Sequence, residues 1–250
     1  MAQSSPYGLE TFMRAEAYGI TALLALMIWW ASGRAGLTGN RRTIAWLVAM
    51  ALLVAWQQLG EVLARAGVFV TGPESPASWM GAAIPLPVIL GLAAIAASPT
   101  ARRIVEATPS WALVAIQFYR VIGAVFLVLW AGGRLPGAFA LPAGLGDLAT
   151  GLAAPVVAYA VARWPERRRT VMLWNAFGLA DLIVAITTAI LTAPGLGQML
   201  AFDAPNRLIF SYPLALVPLY GVPVAFILHG LVWQRLARTA PHSAAHLAAE

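Results

Sequence analysis

Three ionisable side chains inside apolar runs are the residues of this sequence best placed to do chemistry. Arg120 lies in the run from Trp111 to Trp130, which contains no other charge, and Asp147 and Asp181 lie in the next two apolar runs. An unpaired charge in hydrocarbon costs at least about 2.5–3.5 kcal/mol. The pattern therefore predicts that Arg120 pairs with one or both aspartates. Two acids that share one base could exchange a proton, hold a cation or form a fixed clasp between helices.

The composition predicts the elements that position these charges. The 250 residues are 60% hydrophobic and 10% charged, with a mean hydropathy of +0.77, which is too apolar for a soluble domain. About seven apolar runs are long enough to cross a bilayer. We expect an all-α membrane protein, a bundle of about seven transmembrane helices in one domain over residues 1–240, followed by a short flexible cytoplasmic tail over 241–250. The runs lie near 15–32, 43–66, 78–98, 111–131, 139–162, 171–193 and 208–234.

Arginine predicts the orientation, because the chain has no lysine. Arginines concentrate in cytoplasmic loops of membrane proteins. Alternate connections and the C-terminal tail carry eleven, against four on the opposite side. The N-terminus is therefore predicted outside and the C-terminus in the cytoplasm, and the net charge of +6 reflects topology rather than nucleic-acid binding. The eleven are Arg34, Arg41, Arg42, Arg102, Arg103, Arg163, Arg167, Arg168, Arg169, Arg235 and Arg238; the four are Arg14, Arg65, Arg134 and Arg207.

Other polar residues fall at similar depths and extend the candidate site. At about 1.5 Å per helical residue, Glu16, Gln57, Glu61 and Asp147 lie in the outer half, and Arg120 and Asp181 lie near the middle. Glu61 precedes Arg65 by four residues, which predicts a structural ion pair near the outer interface. The predicted ligand- or ion-binding residues, some of which fall in the inner half, are Arg120, Asp147, Asp181, Gln117, Asn175 and His229.

The fifth apolar run has an unusual start, Leu141-Pro-Ala-Gly-Leu-Gly-Asp147. Pro142 and two glycines before an intramembrane aspartate indicate a broken or late-starting helix, whose free amides would attract an anion. The alternative is a proline in the first turn, followed by a small-residue stripe of Gly144, Gly151 and Ala154 that lets a neighbouring helix approach closely. A related segment, Gly178-Leu-Ala-Asp181-Leu, recurs 34 residues later.

The last apolar run contains three prolines, Pro213, Pro218 and Pro223. Each internal proline removes a backbone donor, so the outer part of this helix is predicted to be kinked or locally opened. The connection from Gly195 to Arg207 is predicted to form a short interfacial helix that covers the cavity around Arg120, or a passive segment on the membrane surface.

Several chemistries have no residues in this sequence. Cysteine is absent, which removes disulfides and thiolate metal sites, and the absence of lysine excludes a covalent retinal Schiff base. His242 and His246 have metal-compatible spacing but no further ligand, so no metal and no cofactor is expected. The Walker loop, HExxH, GxSxG and dinucleotide motifs are also absent.

Three strings carry a resemblance that covers the last four helices. Gln117-Phe-Tyr-Arg120, Pro142-Ala-Gly-Leu-Gly-Asp147 and Tyr212-Pro-Leu214 together look like an uncharacterised family of bacterial multi-pass inner-membrane proteins. The resemblance implies a bacterial inner membrane and contact with the lipid bilayer, but no activity and no oligomeric state.

Three functional hypotheses remain open from the sequence. The first is a transporter-like protein that binds and translocates a small molecule or ion through Asp147, Asp181 and Arg120. The second is a membrane-embedded enzyme or binding protein for a lipophilic or anionic ligand. The third is an accessory subunit, in which the charged residues form a closed structural network.

Overall fold

Seven helices of the structure are long and apolar enough to cross a membrane. The computed structural model describes residues 6–72 and 79–238, is 80% helical, and has no strand within those residues. The predicted all-α architecture with seven spans is therefore confirmed, whereas the predicted tail over 241–250 lies outside the described residues. We number the helices span 1 to span 7: Gly8–Arg34, Gly39–Arg65, Met80–Ala97, Ser110–Ala131, Gly137–Arg163, Arg168–Thr192 and Val217–Arg238.

Span 1 begins earlier than its apolar run indicates. Its helix covers Pro6–Arg34, whereas the run begins near residue 15. The additional turns contain Glu10 and Arg14, whose charges meet partners on other elements: Glu10 contacts Arg65, and Arg14 contacts Glu61. Because these charges are neutralised within the protein, polar sequence does not end the helix here.

Span 4 changes its winding in the middle. It is α-helical over Ser110–Ala115, 3₁₀ over Ile116–Gly123 and α-helical again over Ala124–Ala131. A 3₁₀ helix has three residues per turn, so side chains three residues apart lie one above the other. Gln117, Arg120 and Gly123 therefore form a single line along the buried face of this span.

Span 5 is one continuous helix, so the predicted broken or late start is wrong. It runs from Gly137 to Arg163 with Pro142 and Pro155 inside it. Pro142 lies in the second turn, where the loss of one backbone hydrogen bond does not end the helix. The small-residue interpretation is confirmed for the packing against span 4. A methyl group on Gly144 would lie 2.7 Å from Leu127 Cδ2, and one on Gly151 would lie 2.6 Å from the backbone nitrogen of Val121.

Span 7 starts later than its apolar run, at Val217 instead of 208, and its predicted local opening is confirmed. Val217–Gly221 is a π-helical turn, and regular α-helix covers Val222–Arg238. Prolines at 213 and 218 supply no backbone donor, which explains the irregular start.

The predicted interfacial helix from Gly195 to Arg207 is wrong, because that connection is irregular and is followed only by a 3₁₀ turn over Leu208–Phe210.

The two ends of the bundle use charge differently. At the first end, where span 1 begins and span 2 ends, acidic and basic side chains of different spans form ion pairs. At the second end, a short helix over Pro99–Ala107 accepts hydrogen bonds from arginines of the spans. Arg34 Nε donates to the carbonyl of Ala107 at 3.3 Å, and Arg235 Nη1 donates to the carbonyl of Glu106 at 2.7 Å. These arginine side chains thus connect the spans to the short helix at the second end, in addition to giving that end its excess of positive charge.

The predicted orientation can be tested by single-cysteine labelling, because the chain contains no cysteine of its own. Asp203 is exposed at the first end and Glu166 is exposed at the second end. We expect a membrane-impermeant maleimide to label Asp203→Cys in intact cells, and to label Glu166→Cys only after the membrane is disrupted. The reverse pattern would show the opposite orientation, and labelling of both in intact cells would contradict a membrane-crossing topology.

Candidate functional site

Arg120 is the centre of a buried charged network that joins four spans. Its side chain is only 2% exposed. Nε donates to Asp147 Oδ1 of span 5 at 2.8 Å, and Nη2 forms a very short contact with Asp181 Oδ2 of span 6. Nη1 donates to the carbonyl of Gly178 at 3.3 Å and lies 3.1 Å from His229 Nε2 of span 7. The structure thus brings together Arg120 and both aspartates that the sequence offers as partners.

The hydrogen bonds of His229 define its tautomer. Arginine is always a donor, so His229 Nε2 accepts from Arg120 and the ring proton lies on Nδ1. Nδ1 then donates to Asn175 Oδ1 at 2.8 Å, while Asn175 Nδ2 donates to the carbonyl of His229 at 3.2 Å. Both side chains are fully buried. His229 is consequently neutral while this network is closed, and both its nitrogens are occupied.

Glycine lets each member of the network approach the neighbouring helix. A methyl group on Gly146 or Gly178 would overlap the Asp181 carboxylate or the His229 ring, respectively. On span 4, a methyl group on Gly123 would lie 2.6 Å from Asp147 Oδ2. The glycines beside the two aspartates in the sequence therefore have a packing role, which is to leave room for side chains from the adjacent spans.

Gln117 is placed next to this network but is not joined to it. It lies one 3₁₀ turn from Arg120, toward the second end, and is fully buried. Within the described part of the chain, its side-chain nitrogen and oxygen have no hydrogen-bond partner, and neither does Thr150 Oγ1. Buried polar groups without partners are rare in proteins. These atoms continue the line of polar groups beyond the charged network.

Glu61 and Arg65 lie in contact, within a larger cluster at the first end. Arg65 Nη2 is 2.9 Å from Glu61 Oε1 and 2.8 Å from Glu10 Oε1, and Arg14 Nε is 3.4 Å from Glu61 Oε1. The hydroxyl of Tyr212 donates to Glu10 at 2.9 Å, and burial together with this bond raises the pKa of Tyr212. The charges of two acids and two arginines cancel here, so the cluster is a neutral group of ion pairs. It connects spans 1 and 2 with the segment before span 7.

A second polar contact, which the sequence did not predict, joins spans 1, 2 and 7. Thr21 Oγ1 lies 2.6 Å from Gln57 Oε1 and 2.7 Å from the hydroxyl of Tyr220. The rings of Trp56 and Tyr220 pack with centroids 5.0 Å apart, so Trp56 is a packing residue. The sequence could not predict this contact, because single threonines and tyrosines occur on many buried faces of apolar helices without a specific partner.

Two adjacent cavities lie between the charged network and the first end. The larger measures about 1110 Å³ including its open mouth, and its wall is almost wholly apolar. The smaller measures about 340 Å³ on the same basis and is lined by Glu16, Tyr119, Arg120 and Asp147, among others. Five residues line both cavities, which places Asp147 between the apolar cavity and the smaller one that contains Glu16 and Arg120. The shared residues are Phe126, Asp147, Leu182, Val217 and Val222.

Glu16 is the site residue that sequence reasoning noted for its depth but left unassigned. It is 9% exposed and lines the smaller cavity opposite the network. Among the described residues it forms no ion pair and no hydrogen bond. The signal that could have identified it is a carboxyl in an apolar run with no basic residue three or four positions away. Arg14, two positions away, lies on a different face of the helix and contacts Glu61.

One family matches most of this architecture. Residues 77–237, more than half of the chain, match a family described as a domain of unknown function, DUF8737. The chain belongs to this family. No curated protein and no solved structure matches the chain. The DUF8737 region covers spans 3 to 7 and so contains Arg120, Asp147, Asp181 and His229, whereas Glu16 lies outside the matched range. The expected uncharacterised family is confirmed, and its bacterial source stays a prediction.

The glycine contacts predict which small substitutions this network tolerates. Gly146→Ala would force the Asp181 carboxylate away from Arg120, and overpacking of this kind costs about 1–3 kcal/mol. We expect the purified variant to unfold several degrees below the wild type in a thermal scan. The matched control is Gly230→Ala in span 7, where a methyl group meets open space and alanine favours the helix. Equal unfolding temperatures for the two variants would contradict this description of the network.

Proposed function

We propose that this protein is a membrane-embedded binding protein for a small, mainly apolar molecule, which lies in the larger cavity with its polar end at Asp147. The seven apolar helices are compatible with an integral membrane protein. Large apolar side chains such as Leu26, Val128 and Leu173, each 69% exposed, would contact lipid. The resemblance of spans 4 to 7 to bacterial inner-membrane proteins supports that membrane as the location.

The single observation that carries this proposal is the apolar cavity, about 1110 Å³ including its open mouth, that has the partly buried carboxylate of Asp147 in its wall. Ligand pockets typically combine apolar walls with a few polar groups that orient the ligand, and this cavity has that composition. The cavity reaches the surface, since Ile190 and Leu196 in its wall are 50% and 77% exposed. A molecule dissolved in the membrane could enter there.

The geometry favours an apolar ligand over an anionic one. Arg120 is the cation nearest the cavities, and its donors already meet Asp147, Asp181, the carbonyl of Gly178 and His229. An anion would have to displace a carboxylate from a desolvated guanidinium, which is costly. A purely accessory role accounts for the closed network but not for the open cavity beside it.

Translocation is the second candidate, and the positions of Gln117 and Thr150 favour it. Their unpartnered atoms lie on the far side of Arg120 from the cavities. Polar groups there would solvate a ligand or ion that passes the network when Arg120 and Asp181 separate. In this proposal the charged network is the closed gate between the first end and the second end.

The binding proposal predicts that filling the cavity removes ligand binding. Ala189 lines the larger cavity on span 6, whereas Ile183 of the same span is 57% exposed and does not line it. With 1-octanol as the probe and the protein in lipid nanodiscs, native mass spectrometry should show an octanol adduct on the wild type. Ala189→Trp should lose the adduct because the indole occupies the space, while Ile183→Trp should keep it.

Two outcomes would contradict the proposal. One is the absence of saturable octanol binding to the wild type. The other is equal binding by both tryptophan variants, which would mean that octanol binds the lipid-facing surface instead of the cavity. Unfolding temperatures of the two variants should be compared, so that a loss of adduct is not a loss of fold.

A further inference from the structure

The polar end of the cavity has more acidic than basic side chains. Glu16 and Asp147 line it, and Asp181 shares Arg120 with Asp147. Arg120 is the one basic group in contact with any of these three acids among the described residues. The Arg14, Glu10, Glu61 and Arg65 cluster, by comparison, balances two acids with two bases. The excess negative charge is therefore specific to the cavity and is not a general property of the first end.

Glu16 is the group that points to a ligand. Its side chain is more than nine-tenths buried, lines the smaller cavity, and forms neither an ion pair nor a hydrogen bond within the described residues. A methyl group on Gly221, which also lines this cavity, would lie 3.6 Å from Glu16 Oε1. A carboxylate in such a position is costly until a cation or a proton neutralises it.

The surroundings favour an organic ammonium group over a bare metal ion. Within the residues that the structure describes, no group of three or more His, Cys, Asp or Glu side chains is arranged to hold a metal. An ammonium group needs fewer ligands, because three N–H bonds can meet two carboxylates and a carbonyl or hydroxyl oxygen. Glu16 and Asp147 both line the smaller cavity, and so does Tyr119, whose hydroxyl donates to the carbonyl of Gly221 at 2.8 Å.

The two cavities together fit an amphiphilic molecule. They are adjacent, because Asp147 and four apolar residues line both, so one ligand could place its polar end in the smaller cavity and its apolar part in the larger one. We propose that the ligand of this protein is a lipophilic amine, bound in its protonated form, with its ammonium group between Glu16 and Asp147 and its apolar part in the larger cavity. This inference rests on the proposed function and names the class of its ligand.

The experiment compares three octyl probes that share a tail and differ in head-group charge: octylammonium, 1-octanol and octanoate. Each is titrated against the protein in nanodiscs and followed by native mass spectrometry. For the wild type, octylammonium should bind at least about tenfold more tightly than octanoate, as expected for a desolvated charge pair. Glu16→Gln should weaken octylammonium about tenfold and leave 1-octanol within about twofold.

Two control variants separate this effect from a loss of fold or of net charge. Glu16→Asp keeps the carboxylate and should retain the preference for octylammonium. Glu106→Gln removes an acid at the second end, where Glu106 is exposed and pairs with Arg238, and should not change the binding of any probe.

The outcomes distinguish the two proposals. If 1-octanol binds in the cavity but octylammonium has no advantage over octanoate, or if Glu16→Gln leaves that advantage intact, the amine assignment is overturned and the binding function stands. If 1-octanol also fails to bind, the cavity is not a ligand site and the proposed function is overturned. If Glu16→Gln weakens the binding of octylammonium but not of 1-octanol, the result supports both the binding function and the amine assignment.

Discussion

The fold depends on the neutralisation of one guanidinium inside an apolar bundle. Arg120 is almost fully buried, and several kcal/mol of desolvation must be offset by partners with good geometry. Those partners come from spans 5, 6 and 7, so the position of one side chain constrains three neighbouring helices. Glycines at 123, 146 and 178 follow from the same requirement, because larger residues would keep the charged groups apart. Helix packing and charge pairing are therefore one problem in this protein.

Much of this arrangement could be predicted from the sequence, because hydrophobicity and charge act at known depths. The seven spans follow from run length. Arg120 and Asp181 lie near the middle of their runs, and Asp147 lies in the outer half of its run but close enough in depth to meet Arg120. What could not be predicted is the 3₁₀ winding of span 4, which places Gln117 and Gly123 in line with Arg120. No residue type in Ile116–Gly123 specifies this winding.

Glu16 and the start of span 1 show a second limit of sequence reasoning. A hydropathy pattern treats Glu10, Arg14 and Glu16 alike, as polar residues at the start of an apolar run. In the folded protein the first two pair across the first end, whereas Glu16 turns toward the cavity and pairs with no described residue. The difference depends on which helix face meets spans 2 and 7. Composition does not contain that information.

The cavity itself follows from the late start of span 7. Its regular helix begins at Val222 and contains 17 residues, a length of about 25 Å, so the first end of the bundle lacks a seventh continuous helical wall. The wall there is completed by the irregular connection around Gly195 and by Ile209 and Phe210. The cavity lies between these segments and the charged network. The candidate site therefore depends on the prolines that delay the start of span 7 as well as on the charged residues at the inner end of the cavity.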